Sequence, residues 1–208
     1  VGGLAIACDV GKEDQINALV AETEGAFGPI DIFFSNAAVA TGRGPLNTDI
    51  DVWFDQWDIN VMSHVYAVRA VLPAMLKRGE GYLIHTASMA GVLSSHGNLP
   101  YAVTKHAVVG LAEWLAFTYR HKGIRTSLLA PLGVRTPMLD TSSAFAESAV
   151  GPIKEPGDVA AMVTDAVEAE RFMILTDQIA QKWMSGKTDD IERWLSGMNR
   201  LQEKIEAK

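Results

Sequence analysis

The feature that most limits this fold is an alternation of short apolar-rich runs with segments whose apolar residues recur at helical spacing. The runs are residues 4–8, 30–34, 82–86, 124–130 and 172–175. Between them, residues 13–27 place Ile16, Leu19, Val20 and Ala26 on one helical face. Residues 49–77 do the same with Trp53, Trp57, Val61, Val65, Val68, Leu72 and Leu76, with Pro73 as a point of kinking or division. Residues 101–121 and 155–170 are the next expected helices. Gly28-Pro29, Gly79, Gly81 and Gly123 punctuate the pattern. Residues 91–100 and 136–152 read as loops. Residues 189–205 form an amphipathic tail helix with Ile191, Trp194, Leu195, Met198, Leu201 and Ile205 on one stripe. Strands that are apolar on both faces, alternating with helices, predict an α/β, doubly wound parallel sheet with helices on both faces. Ligands bind beyond the carboxyl ends of such strands. Asp9, Asn36, Ser88 and residues 131–136 are therefore the places to look for chemistry.

The 208 residues suffice for one domain with a sizeable core. The formal net charge of −7 argues against a nucleic-acid footprint and against docking on an anionic membrane. No apolar run approaches the ~20 residues of a membrane-spanning helix. The single cysteine, Cys8, excludes an intrachain disulfide and is expected as a buried strand thiol. A reducing, cytoplasmic setting is expected. The five histidines, His64, His85, His96, His106 and His121, show no metal-ligand spacing, so no metal is expected.

Tyr101 and Lys105 stand four residues apart on an expected helix and share a face. A phenol with a pKa near ~10 is a poor acid-base group at neutral pH. An adjacent ammonium stabilises the phenolate and equips the pair for proton transfer to or from an alcohol or carbonyl. Alone, this spacing arises often by chance. Ser88 follows the third strand, where a hydroxyl can donate to a substrate oxygen that gains negative charge. Asn60 lies inside the long helix and, if buried, needs partners. It is either a satisfied packing group or the holder of a water. Asp9 either accepts from an adenine or caps the next helix. The small residues after Asn36 allow close backbone approach to a ligand.

In order along the chain, Asp9-Val10, Ser35-Asn36-Ala37-Ala38, Asn60, Ser88, Tyr101-x-x-x-Lys105 and the segment Pro131 to Met138 resemble the short-chain dehydrogenase/reductase family. The resemblance implies a Rossmann-like fold and an NAD(P)-dependent oxidoreductase that moves a hydride between nicotinamide and a secondary alcohol or ketone. It implies that Tyr101 is the proton donor or acceptor, that Ser88 orients the substrate oxygen and that Asn60 completes a proton relay. Lys105 would lower the Tyr101 pKa and bind the nicotinamide ribose. Asp9 and Val10 would touch adenine. Asn36, Ala37 and Ala38 would line the cofactor, and Pro131, Val134 and Thr136 would hold its carboxamide end. It also implies a homotetramer or homodimer built on the two long helices, with substrate loop 136–152 and C-terminal helices 177–207 completing one partial domain.

The sequence departs from that family pattern in one large respect. No glycine-rich turn between a strand and a helix is present, so the usual cradle for the diphosphate is missing. The family's sheet order places two further strands between residues 4–8 and 30–34. Without them two strand edges would lie open. A piece of a longer polypeptide is therefore expected, in keeping with Val1 in place of Met. The alternative is a truncated, non-catalytic relative with an interaction role or no activity. The charge that sets coenzyme choice falls in the missing part, so NAD or NADP stays open, with a lean to NAD. Ala38 and Leu132 stand where the family pattern has glycine.

Overall fold

Four of the five apolar-rich runs assemble into one all-parallel sheet in the order β1-β2-β3-β4. The strands are β1 (Ile32–Ser35), β2 (Gly81–Thr86), β3 (Ile124–Ala130) and β4 (Met173–Leu175). The computed structural model describes residues 2–139 and 151–207. Ser35 pairs with His85, and His85 with Leu128, so the carboxyl ends of β1, β2 and β3 finish side by side. Parallel pairing requires crossovers, and helices supply them. These are α1 (Glu13–Phe27), α2 (Ile50–Trp57), α3 (Ser63–Arg78), α4 (Ala90–Leu93), α5 (Leu99–Tyr119), α6 (Pro156–Glu168), α7 (Gln178–Asp189) and α8 (Ile191–Glu206).

The core has two sides because neighbouring strand residues point to opposite faces. Leu83 and Ile124 pack with Val20 of α1, with Val68, Val71, Leu72 and Met75 of α3, and with Leu115 of α5. Tyr82, Ile84, Leu129 and Ile174 pack instead against Val159, Val163 and Ala166 of α6. The strand β2 is buried along almost its whole length, as the doubly apolar pattern requires. Gly123 joins the two halves at the foot of the sheet. Its φ is +82°, and a Cβ there would lie 1.8 Å from the Gly79 carbonyl oxygen, so only glycine fits.

Residues 50–78 form one continuous helical stretch, and its irregular turn is not at Pro73. The turn Asp58–Met62 between α2 and α3 is π-helical, whereas Pro73 sits inside α3. By length and composition this stretch could cross a bilayer, yet half of its most apolar window is buried in the protein. That is the pattern of a core helix.

Three local expectations need correction. Residues 4–8 form no strand. No neighbouring strand is hydrogen-bonded to them, and an extended segment needs a ladder to count as one. Cys8 is accordingly half-buried rather than in a strand, and burial, then the nearby Asp9 and Asp14, push its thiol upward. Residues 91–100 are not loop throughout, since α4 occupies part of them. The stripe of the tail helix α8 supplies no buried residue; Ile191 and Leu195 are exposed, and Trp194 is only partly buried. This helix lies at the periphery, where Gln202 Oε1 meets the His96 ring at 2.6 Å.

Candidate active site

The site forms where β1 and β2 end and α5 begins. Asn98 caps α5, its Oδ1 accepting from the Tyr101 backbone N–H at 3.0 Å, and Pro100 fits the first turn. Residues 101 and 105 then fall one turn apart on the face turned to β2 and α4. The Lys105 side chain is only 1% exposed, and Nζ donates to the Thr86 carbonyl at 2.8 Å. It stands 5.6 Å from the centre of the Tyr101 ring. Burial pushes the ammonium down to about 8. Burial raises the Tyr101 phenol, and a hydrogen bond with Ser88 pulls it back. Burial first and then Ser88 act on the phenol; the expected lowering by Lys105 is not among these influences. Ser88 is half-buried, and its Oγ also accepts from the Ala90 N–H at 3.1 Å, so a local turn fixes it.

Thr86 is the hub. Its carbonyl holds Lys105, while its hydroxyl donates to Asn36 Oδ1 at 2.9 Å. The end of β1 is thereby tied to the Tyr101–Lys105 face. Asn36 and Ala37 are exposed beside this hub and Ala38 is half-buried. Asn60 is fully buried, and its side chain is completely engaged. Oδ1 accepts from the Val39 N–H at 2.8 Å, and Nδ2 donates to the Val39 carbonyl at 2.9 Å and to Thr104 Oγ1 at 3.1 Å. Thr104 donates in turn to the Tyr101 carbonyl at 3.0 Å. The side chain of Asn60 is thus satisfied by protein groups, and it locks the π turn to α5.

Other expected residues lie further out. Asp9 is exposed, and its Oδ1 accepts from the Gly11 N–H at 3.0 Å, a local turn rather than a cap on α1, whose N-cap is Lys12. Val10 is half-buried beside it. The Pro131 carbonyl accepts from the Met89 N–H at 3.0 Å, which brings the end of β3 to the Ser88 turn. Val134 bridges to Lys154, and the exposed Thr136 accepts from the Leu139 N–H. Residues 140–150 of the expected substrate loop lie outside the described residues. Leu132 joins Met89, Leu93 and Trp183 in an apolar cluster next to Ser88. Among the described residues no group of three or more metal-ligating side chains comes together.

Sequence reasoning missed Thr86, Thr104, Val39, His64 and His85. Thr86 carried a weak signal, as the last polar residue of a strand tip. Thr104 and Val39 carried none, since their roles exist only once Asn60 is placed against them.

Residues 3–147 match the short chain dehydrogenase family model. A 2,5-dichloro-2,5-cyclohexadiene-1,4-diol dehydrogenase from Sphingobium indicum is 40% identical over 64% of this chain and 54% of its own length. Levodione reductase from Leifsonia aquatica is 35% identical over 67% of this chain and 52% of its own length. The chain thus spans about half the length of these curated relatives. A short chain dehydrogenase/reductase from Burkholderia phymatum, solved in complex with NAD, superposes with a TM-score of 0.80. It is 30% identical, over 91% of this chain and 76% of that one.

Proposed function

The chain belongs to the short-chain dehydrogenase family, and from that premise we propose that it serves an NAD(P)-dependent oxidoreductase acting on a small, cyclic secondary alcohol or ketone. The observation that carries the reading is the joint placement of Tyr101, Ser88 and Lys105, with Ser88 near enough to the phenol to draw its pKa down and the Lys105 ammonium 5.6 Å from the centre of the same ring. The donor set suits the ribose end of a nicotinamide cofactor. Lys105 uses one N–H on Thr86, which leaves donors for ribose hydroxyls, and the exposed Asn36 and Ala37 permit close approach. A glycine-rich diphosphate cradle is not among these 208 residues. When bound, the cofactor supplies or accepts the hydride at the reacting carbon.

The chain's own residues handle the oxygen. In the reductive direction Tyr101 gives its phenolic proton to the carbonyl oxygen as charge gathers there, and Ser88 donates a hydrogen bond to the same atom. In the oxidative direction the phenolate takes the proton back. Lys105 would hold the ribose, and its ammonium, 5.6 Å from the ring centre, would favour the phenolate. The side chain of Asn60 holds the π turn in register with α5, so any part it plays in a proton relay falls to its backbone. Leu132 and Trp183, the half-buried members of the apolar cluster next to Ser88, suit contact with an apolar ring. The cyclohexadienediol named for one relative points the same way. NAD is the first coenzyme to test, since the Burkholderia phymatum structure was solved in complex with it.

The test is turnover of the full-length protein with NAD and NADP on a panel of cyclic diols and diketones. Tyr101→Phe is expected to lower kcat by ~10³-fold or more while cofactor binding persists. Nucleotide binding without turnover by the unmodified protein would replace this reading with a non-catalytic one.

A further inference from the structure

Behind the site, on the side away from substrate, lies a polar pair that the reaction does not use. His64 on α3 and His85 on β2 are 0% and 1% exposed, and their Nδ1 atoms stand 2.9 Å apart. The rings stack at 5.2 Å between centroids, with a 30° interplanar angle. Among the described residues, the buried Nε2 atoms of both rings have no hydrogen-bond partner. Two apolar side chains would fill the same space without unpaired polar atoms, each of which costs about 1–3 kcal/mol when buried. An arrangement this unfavourable for packing calls for a reason in its position.

That position is specific. His64 lies one turn after Asn60, at i and i+4, so both project from the same side of the helix around the π turn. Such turns concentrate at functional sites and need support to persist. His85 directly precedes Thr86, whose carbonyl holds Lys105 and whose hydroxyl holds Asn36. In a strand the two side chains point to opposite faces, so His85 reaches the helix while Thr86 serves the site.

We propose that the His64–His85 hydrogen bond is a positioning device, clamping the strand tip of Thr86 and Lys105 to the helical turn of Asn60. The proposal rests on the reading of Lys105 as the residue that binds ribose and tunes the phenol. For the bond to form, one ring must donate from Nδ1 and the other accept there, so the two neutral rings must differ in tautomer. Burial favours the neutral forms. It pushes His85 down to about 4, and together with His85 and the Lys105 ammonium it holds His64 well below its ordinary value. The groups facing His64 are therefore His85 from β2 and Lys105 from α5. A proton gained by the pair would place a second cation beside Lys105.

The experiment has two parts. Nitrogen-15 NMR of the unmodified protein should show one Nδ1-protonated and one Nε2-protonated ring, unchanged from pH 8 down to pH 5.5. Two rings titrating independently near the ordinary histidine value would overturn the proposal. The second part follows the Lys105 titration by lysine side-chain NMR in His85→Phe, His85→Asn and the double variant His64→Phe/His85→Phe. Loss of the clamp is expected to move the Lys105 pKa further down by about one unit as the Thr86 carbonyl drifts. In the two variants that carry phenylalanine alone at these positions kcat should fall about tenfold with KM within about twofold, whereas His85→Asn should keep most of both the Lys105 titration and kcat. A folded double variant with unchanged Lys105 titration and kcat would reduce the pair to packing. The lysine readout does not need turnover. A Lys105 shift in a protein that oxidises no alcohol would support the clamp and reject only the proposed reaction.

Discussion

Replacing Lys105 with methionine is expected to abolish activity and, near neutral pH, to make the fold more stable. The ammonium is almost wholly buried, and its pKa falls from 10.5 to about 8. At ~1.4 kcal/mol per unit, the folded state is penalised by about 3 kcal/mol for holding the charge at pH 7. Methionine fills a similar volume without that charge but leaves the Thr86 carbonyl without its donor, which returns ~1–2 kcal/mol of the gain. The net expectation is a variant more stable by about 1–2 kcal/mol at pH 7. The pH dependence is the diagnostic part. Between pH 8 and 10.5 the unfolded lysine is protonated and the folded one is not, so the unmodified protein gains stability as pH rises. That contribution is complete above the unfolded pKa and is lost as pH falls to about 8. The two stability curves should therefore cross near ~pH 9, with the lysine form ahead above it. Urea unfolding without nucleotide, at half-unit steps from pH 7 to 10.5, measures the gap; titrations common to both proteins cancel. A methionine variant less stable than its parent at every pH, by a constant amount, would refute the argument.

Acid should unfold the protein early. His85 is held down to about 4 from 6.5, so the unfolded chain binds the extra proton between those values. Its contribution is whole above pH 6.5 and lost as pH falls towards 4, at up to ~1.4 kcal/mol per unit, as urea midpoints across that window should show. Met75→Ala, at a fully buried site between α3 and β2, should cost about 2–5 kcal/mol in equilibrium unfolding. Gly91→Ala would set a Cβ 2.4 Å from the Lys105 carbonyl oxygen, forcing α4 and α5 apart. A loss of about 1–3 kcal/mol and a kcat deficit larger than the KM change are expected, measured by denaturation and steady-state kinetics.

Much of the architecture was legible because its signals are local. The helical face of residues 13–27 and the strand at 124–130 are found with those bounds, since one periodicity and one glycine stop define each. Tyr101 and Lys105 were readable as a pair for the same reason: four residues on any helix make a shared face. The apolar run at residues 4–8 misled because its composition suits a strand, whereas a strand exists only against a partner. Pro73 looked like the weak point of the long helix, yet the break came at Asp58–Met62, where Asn60 is held by Val39 and Thr104.

What this sequence determined by itself was the alternation of elements, the two-sided burial of β2 and β3 and the set of residue types at the strand tips. Each follows from the spacing of apolar side chains and from turn chemistry within a few residues. What only the tertiary structure decided was which polar atoms meet. Thr86 became the joint between Asn36 and Lys105 across 50 and 19 residues, and His64 met His85 across 21. Such contacts leave no periodic trace, because they depend on helix crossings and sheet register, and those are fixed only when the whole core packs.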